Sequence, residues 1–247
     1  MDAGFPRYRL IDDTTGAVLV EAEEVEGFFV APEDEPDEVT FSGLHLLDDR
    51  KRATEDAVLE MLNRRGEKIG EYFIGRADRG RVTAGAGAGA KPTAVPYRSV
   101  TNRCEFPEAE AIWRRWASGA VLERDEWLAW PPDHHDAWLH VVQNSWFTSG
   151  RRAARYGTDS VARLNGAHIS KRASFYCALG EAVNGPGGYF GSNLDALADC
   201  LSADSGDAPP LRIAWVNFHA AQESVGPEFV DSAVAVLQEF DVEVTTH

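Results

Sequence analysis

The chain has 247 residues, of which 44% are hydrophobic and 26% charged, so we expect one large or two ordinary globular domains. This composition excludes collagen, a coiled coil and a globally disordered chain. The 40 Asp and Glu residues outnumber the 24 Lys and Arg residues, giving a formal net charge of −16. So acidic a chain disfavours nucleic acid and anionic membranes as partners and suits a basic protein partner.

Three further features of the sequence concern its compartment. It contains no run of about 18 apolar residues that would span a membrane. The opening Met-Asp-Ala-Gly-Phe-Pro-Arg lacks the basic flank and apolar stretch of a signal peptide. Cys104, Cys177 and Cys200 are far apart, which argues against a disulfide framework or a zinc cage. We therefore expect a cytoplasmic protein that needs no cofactor and no metal.

The first part of the chain, residues 1–78, predicts an α+β region. Its strand-like segments are 7–11, 17–22, 27–30, 39–41 and 68–74, the first two joined by a polar turn that ends in Gly16. Residues 53–64 predict a helix, because four apolar residues share one helical face. They are Ala57, Val58, Met61 and Leu62.

The middle of the chain changes composition twice. Residues 79–100 contain Gly-Ala repeats followed by Pro92 and Pro96, which predicts a linker or long loop. Residues 101–157 predict a helical region that holds six of the seven tryptophans. Within it Trp138, Val142 and Trp146 share one helical face. That face is interpreted either as core or as an aromatic patch for a protein partner.

Neither metal binding nor catalysis is expected of residues 1–160. His134, His135 and His140 contain no pair spaced i,i+4, so they predict a helix N-terminus better than a metal site. The same residues contain no Gly-x-Ser-x-Gly and no His-Glu-x-x-His motif. We therefore predict that the protein is not an enzyme.

Residues 158–247 predict a separate domain with the element order β-α-α-β-α-β. Such an order implies a small, mainly parallel three-stranded sheet covered by helices, an α/β fold. The predicted strands are 161–166, 211–218 and 242–246, and the predicted helices are 170–183, 193–202 and 227–240.

The second helix of this domain carries the most informative pattern. Asp195, Asp199 and Ser202 are spaced i, i+4 and i+7, so they share one face of that helix. Two like charges at i,i+4 cost a helix about 0.2–0.5 kcal/mol. Spacing alone is compatible with an ordinary solvated acidic face.

The string Tyr-Phe-Gly-Ser-Asn-Leu-Asp-Ala-Leu-Ala-Asp-Cys-Leu at 189–201 closely resembles the helix of the barstar family. The resemblance extends over residues 161–247. Members of this family are intracellular inhibitors of secreted, basic, barnase-type ribonucleases, and they block the ribonuclease active site with this helix and the loop before it. The resemblance implies the same function here, that of an immunity protein, without catalysis.

The resemblance also implies which residues meet the partner. Asp199 matches the central carboxylate that replaces an RNA phosphate, Asp195 the flanking acidic contact, and Tyr189 an aromatic that packs on the catalytic histidine of the ribonuclease. The remaining implied contacts are Gly191, Asn193, Ser202 and Glu239.

One alternative function remains open at this point. The protein could be a regulator or scaffold whose barstar-like domain binds a non-nuclease partner. In that case residues 1–160 would mask the acidic helix or add a second binding surface.

Overall fold

A computed structural model of the chain describes residues 4–80, 92–203 and 210–247. The chain divides into two compact units, the first ending at Ala120 and the second running from Val121 to His247. The boundary lies inside the predicted Trp-rich region 101–157, and not at its end. No helix in the described part of the chain is both long and apolar enough to cross a lipid bilayer.

The first unit is a closed antiparallel barrel with the strand order β1-β2-β3-β6-β5-β4. Its strands are β1 Tyr8–Asp12, β2 Val18–Glu26, β3 Glu38–Leu47, β4 Ala53–Leu62, β5 Lys68–Arg79 and β6 Ala94–Arg98. The hairpin β1-β2 and strands β3 and β5 confirm four of the five strand-like segments of the sequence. The fifth, 27–30, is wrong, since it forms only an isolated bridge between Phe29 and Cys104. Because β4 lies beside β1, the first four strands form a Greek key.

The predicted helix over 53–64 is wrong, since this segment is strand β4. Leu59 pairs with Leu10 of β1 on one side and with Tyr72 of β5 on the other. From Ala57 to Leu62 every residue of β4 is buried. A short apolar run of this kind fits a strand buried on both faces as well as a helix, and pairing with two neighbours decides the outcome.

The predicted linker over 79–100 also differs from the structure. Residues 81–91, which hold the Gly-Ala repeats, lie outside the described residues. Strand β6 occupies 94–98, where Val95 and Tyr97 alternate into the barrel core. Pro96 between them is tolerated because β6 makes only a short pairing with β5.

Among the described residues of the first unit there is one α-helix, α1 Ala109–Ala117. The indole nitrogen of Trp113 donates a hydrogen bond of 2.8 Å to the hydroxyl oxygen of Tyr72 in β5. The indole ring covers Gly70, where any Cβ atom would lie 2.2 Å from Trp113 Cη2. The first unit therefore combines a barrel with an α-helix, an α+β arrangement, but this helix lies outside residues 1–78, the range for which the sequence predicted α+β structure.

The second unit contains a parallel three-stranded sheet in the order β7-β8-β9, which confirms the predicted α/β fold. The strands are β7 Val161–Asn165, β8 Arg212–Val216 and β9 Glu243–Thr246. Trp215 of the central strand is fully buried and stacks on Phe175 with ring centroids 5.4 Å apart.

Five helices accompany this sheet within the described residues: α2 His135–Thr148, α3 Arg172–Asn184, α4 Leu194–Ser202, α5 Phe218–Val225 and α6 Pro227–Glu239. Helices α3, α4 and α6 confirm the three predicted for the C-terminal domain. Helix α5 was not predicted, because it follows Asn217 in a left-handed conformation and has no capping side chain.

Helix α2 packs on α3 and belongs to the core of the second unit. Trp138, Val142 and Trp146 are buried, which confirms the core interpretation of that face. His135 is buried as well, with its Nδ1 2.7 Å from the hydroxyl oxygen of Ser174 in α3. In the described part of the chain no group of three or more His, Cys, Asp or Glu side chains is placed to hold a metal ion.

A buried carboxyl links the start of the second unit to α3. Glu181 is 5% exposed, and its Oε1 accepts a hydrogen bond of 2.7 Å from the backbone N–H of Asp125. Burial raises the pKa of Glu181 from its ordinary value of 4.5 to about 7, although the N–H donor opposes this shift.

This raised pKa predicts how the second unit responds to pH. Between pH 4.5 and 7 the unfolded state loses the proton that the folded state keeps, so stability falls as pH rises through that window. The full loss should be roughly 3 kcal/mol, because each pKa unit corresponds to about 1.4 kcal/mol. Glu181→Gln keeps an oxygen acceptor without a charge and should remove this slope in urea unfolding measured from pH 4 to 8. An unchanged slope in the variant would contradict the assignment.

Candidate functional site: an exposed acidic helix

The N-terminus of α4 is fixed by its own sequence. Asn193 is the N-cap, and its Oδ1 accepts a hydrogen bond of 2.8 Å from the backbone N–H of Ala196. Asp195 lies in the first turn, where the helix dipole favours a negative charge. Leu197 and Cys200 are buried on the opposite side, which anchors the helix to the domain. Burial raises the pKa of the Cys200 thiol to about 12, so Cys200 acts as a core residue.

The outward face of α4 carries the residues whose spacing the sequence indicated. Asp195, Asp199 and Ser202 are all exposed. The Ser202 hydroxyl donates a hydrogen bond of 2.9 Å to the backbone carbonyl oxygen of Asp199. Neither carboxylate has a Lys, Arg or His within ion-pair distance among residues 4–80, 92–203 and 210–247. Both are therefore available to accept hydrogen bonds from cationic groups of another molecule.

The loop before α4 is held by one side chain, that of Asn184 at the end of α3. Its Oδ1 accepts hydrogen bonds from the backbone N–H groups of Tyr156, at 2.6 Å, and Gly157, at 3.2 Å. Its Nδ2 donates to the carbonyl oxygens of Ala154, at 3.1 Å, and Tyr189, at 2.7 Å. Asn184 thus ties the loop to the segment that leads from α2 into β7.

Two glycines allow the loop to lie against the helices. At Gly180 of α3 a Cβ atom would lie 2.3 Å from the carbonyl oxygen of Gly188, so only glycine permits this approach. Gly191 has a φ of 96°, and a Cβ atom there would lie 2.8 Å from the backbone of Leu197. Gly191 is buried and shapes the entry to α4, and its expected contact with a partner stays a prediction.

Tyr189 was expected to contact a partner directly with its ring, but in the structure its side chain is buried. The residue is only 2% exposed, and its hydroxyl oxygen lies 3.4 Å from that of Ser192. Burial raises the pKa of its phenol. Its ring meets the ring of Phe147 from α2, with the centroids 5.3 Å apart and the planes at 62°.

Glu239 is exposed at the C-terminal end of α6, a helix that packs against α4. The structure thus brings Gly191, Asn193, Asp195, Asp199 and Ser202 together on α4 and its entry, with Glu239 on the neighbouring helix.

Sequence reasoning missed Asn184 and Phe147. The Asn-Gly pair at 184–185 predicts a turn but not the four hydrogen bonds of the Asn184 side chain. Phe147 belongs to α2, where the helical spacing of the tryptophans was the feature that the sequence made visible.

The hydrogen bonds of Asn184 predict an unequal effect of two similar substitutions. Asn184→Ala leaves two backbone N–H groups and two carbonyl oxygens without their partner and should lower the free energy of unfolding by roughly 2–4 kcal/mol. Asn193→Ala removes one exposed helix cap and should cost about 1 kcal/mol. Urea unfolding of both variants measures the difference. Equal, small losses would show that Asn184 does not hold the loop.

Comparison with known proteins places this site within a family. Residues 160–246 match the family model described as barstar, a barnase inhibitor. No curated protein matches the chain. The matched range contains α3, α4, α5, α6 and the parallel sheet, whereas α2 and the barrel lie outside it. The C-terminal part of this chain, including the acidic helix and the loop before it, is therefore a barstar-family domain.

Proposed function

We propose that the protein is a cytoplasmic inhibitor of a secreted, barnase-type ribonuclease, which makes it the immunity protein or antitoxin for that enzyme. The observation that carries the proposal is the pair of exposed, unpaired carboxylates on α4 of a barstar domain. The inhibitor acts by occlusion: α4 and the loop before it cover the ribonuclease active site. Inhibition by occlusion requires no catalytic activity of this protein and no cofactor.

The chemistry of an RNA-cleaving site supports this use of α4. Such a site must present Arg, Lys or His groups to the phosphate, and a carboxylate that takes the place of the phosphate meets those same groups. Asp199 lies midway along the exposed face, with Asp195 one turn before it and Ser202 at the helix end. Bidentate hydrogen bonds between a guanidinium and a carboxylate are strong and directional.

The net charge of the domain supports the choice of a basic partner. Residues 161–247 hold 11 acidic and four basic side chains, a net charge of −7, and α4 itself contains no Lys or Arg. Opposite charges on two proteins raise the rate of encounter and disfavour acidic competitors. Glu239 adds a carboxylate at the edge of this surface, where a charge contributes to encounter more than to the final affinity.

The central test is Asp199→Ala in the full chain. Because Asp199 would be buried among cations in the complex, its removal should lower the affinity at least about 30-fold, or 2 kcal/mol. Isothermal titration calorimetry with a catalytically inactivated barnase-type ribonuclease measures this change. Glu223→Ala, an exposed acidic residue on α5, is the charge-matched control and should bind like the wild type. Failure of the wild type to bind, or equal affinity in Asp199→Ala, would refute the proposed function.

Electrostatic encounter predicts a dependence on ionic strength. Raising the salt concentration from about 50 to 500 mM shortens the screening length from about 14 to 4 Å, so the association rate constant should fall at least about tenfold. Stopped-flow mixing with the same ribonuclease measures it. Dissociation should change much less, and a salt-independent association rate would contradict steering by the acidic surface.

A further inference from the structure

Phe147 is an exposed aromatic beside the loop that precedes the acidic helix α4, and it lies outside the barstar match. It is the second-last residue of α2, 43% exposed, whereas the match begins at residue 160. Its ring meets that of Tyr189, the aromatic that the family resemblance assigns to the partner. Tyr189 is only 2% exposed, so Phe147 presents aromatic surface where Tyr189 does not.

The rest of α2 fixes this placement. Trp138, Val142 and Trp146 hold the helix in the core of the unit, so Phe147 projects from a firmly packed element. The chain after α2 is tied by Asn184 to the carbonyl oxygen of Tyr189. The contact between Phe147 and Tyr189 is therefore held from both sides by buried residues and hydrogen bonds.

The composition of this surface resembles that of a binding hot spot. An aromatic anchor lies next to the loop that leads directly into the unpaired carboxylates of Asp195 and Asp199. Aromatic residues are enriched at hot spots, where burying a single large side chain accounts for a substantial part of the affinity. Since the neighbouring carboxylates require cations, the occupant that fits is a basic protein with an apolar or aromatic side chain beside its cationic site.

We propose that Phe147 supplies the aromatic contact of the binding surface, which extends the interface of the barstar domain onto α2. The occupant is the basic ribonuclease itself, so this inference rests on the proposed function. Tyr189 then packs against the ring of Phe147 and holds it in place, and does not itself contact the partner.

The test is Phe147→Ala in the full chain, titrated with the catalytically inactivated barnase-type ribonuclease. Affinity should fall at least tenfold, mainly through faster dissociation, and Phe147→Tyr should retain most of it. Phe73→Ala is the matched control, because Phe73 is an exposed aromatic of the barrel, and it should leave affinity unchanged. The midpoint of thermal unfolding, measured for each variant, separates a lost contact from a damaged fold.

The outcomes separate this inference from the function on which it rests. If Asp199→Ala weakens binding and Phe147→Ala does not, the extended interface is wrong and the inhibitor function stands. If Phe147→Ala binds more tightly than the wild type, Phe147 masks Tyr189 and the inference is overturned. If the wild type does not bind, or if Asp199→Ala binds as well as the wild type, the proposed function fails and the inference fails with it.

Discussion

The four hydrogen bonds of the Asn184 side chain are the constraint on which the candidate site depends. They join the end of α3, the segment 154–157 and the carbonyl oxygen of Tyr189. The loop that follows must then approach α3 closely, which glycine at position 180 allows. This loop leads directly to Asn193, the N-cap of α4. Its position therefore determines the direction of α4 and of the Asp195 and Asp199 side chains. An interface that relies on two carboxylates gains affinity from such preorganisation, because little conformational entropy is then lost on binding.

The acidic face of α4 opposes the stability of its own helix. Asp195 is compensated by its place in the first turn, whereas Asp199 lies one turn deeper, gains less from the helix dipole and repels Asp195 at i,i+4. Within the described residues no cation relieves either charge. Leu197 and Cys200 hold the opposite face in the core, so the helix tolerates the unfavourable pair. A surface that is mildly unfavourable alone and favourable beside cations is the pattern expected of a site used for binding.

The sequence predicted the barstar-like domain well because its elements are short, regularly patterned and separated by turn residues. Prediction failed where tertiary pairing outweighs local pattern. The helical spacing of Ala57, Val58, Met61 and Leu62 concealed a strand that pairs on both sides.

For the site, the spacing of Asp195, Asp199 and Ser202 correctly placed them on one exposed face. The burial of Tyr189 could not be read from the chain, because its ring contacts Phe147, a residue 42 positions away that the packing of α2 brings into contact.

The compact unit that carries the acidic helix is larger than the family match. It begins at Val121, whereas the match begins at residue 160. The intervening residues contribute three buried tryptophans, Trp127, Trp138 and Trp146. They also contribute the hydrogen bond of His135 to Ser174 and the backbone N–H that donates to Glu181. Without them, α3 would expose apolar surface and the buried Glu181 carboxyl would lose its donor, both of which destabilise a small domain. The same extension places Phe147 against Tyr189 in the loop before α4, so the residues that stabilise the domain also contribute exposed surface beside that loop.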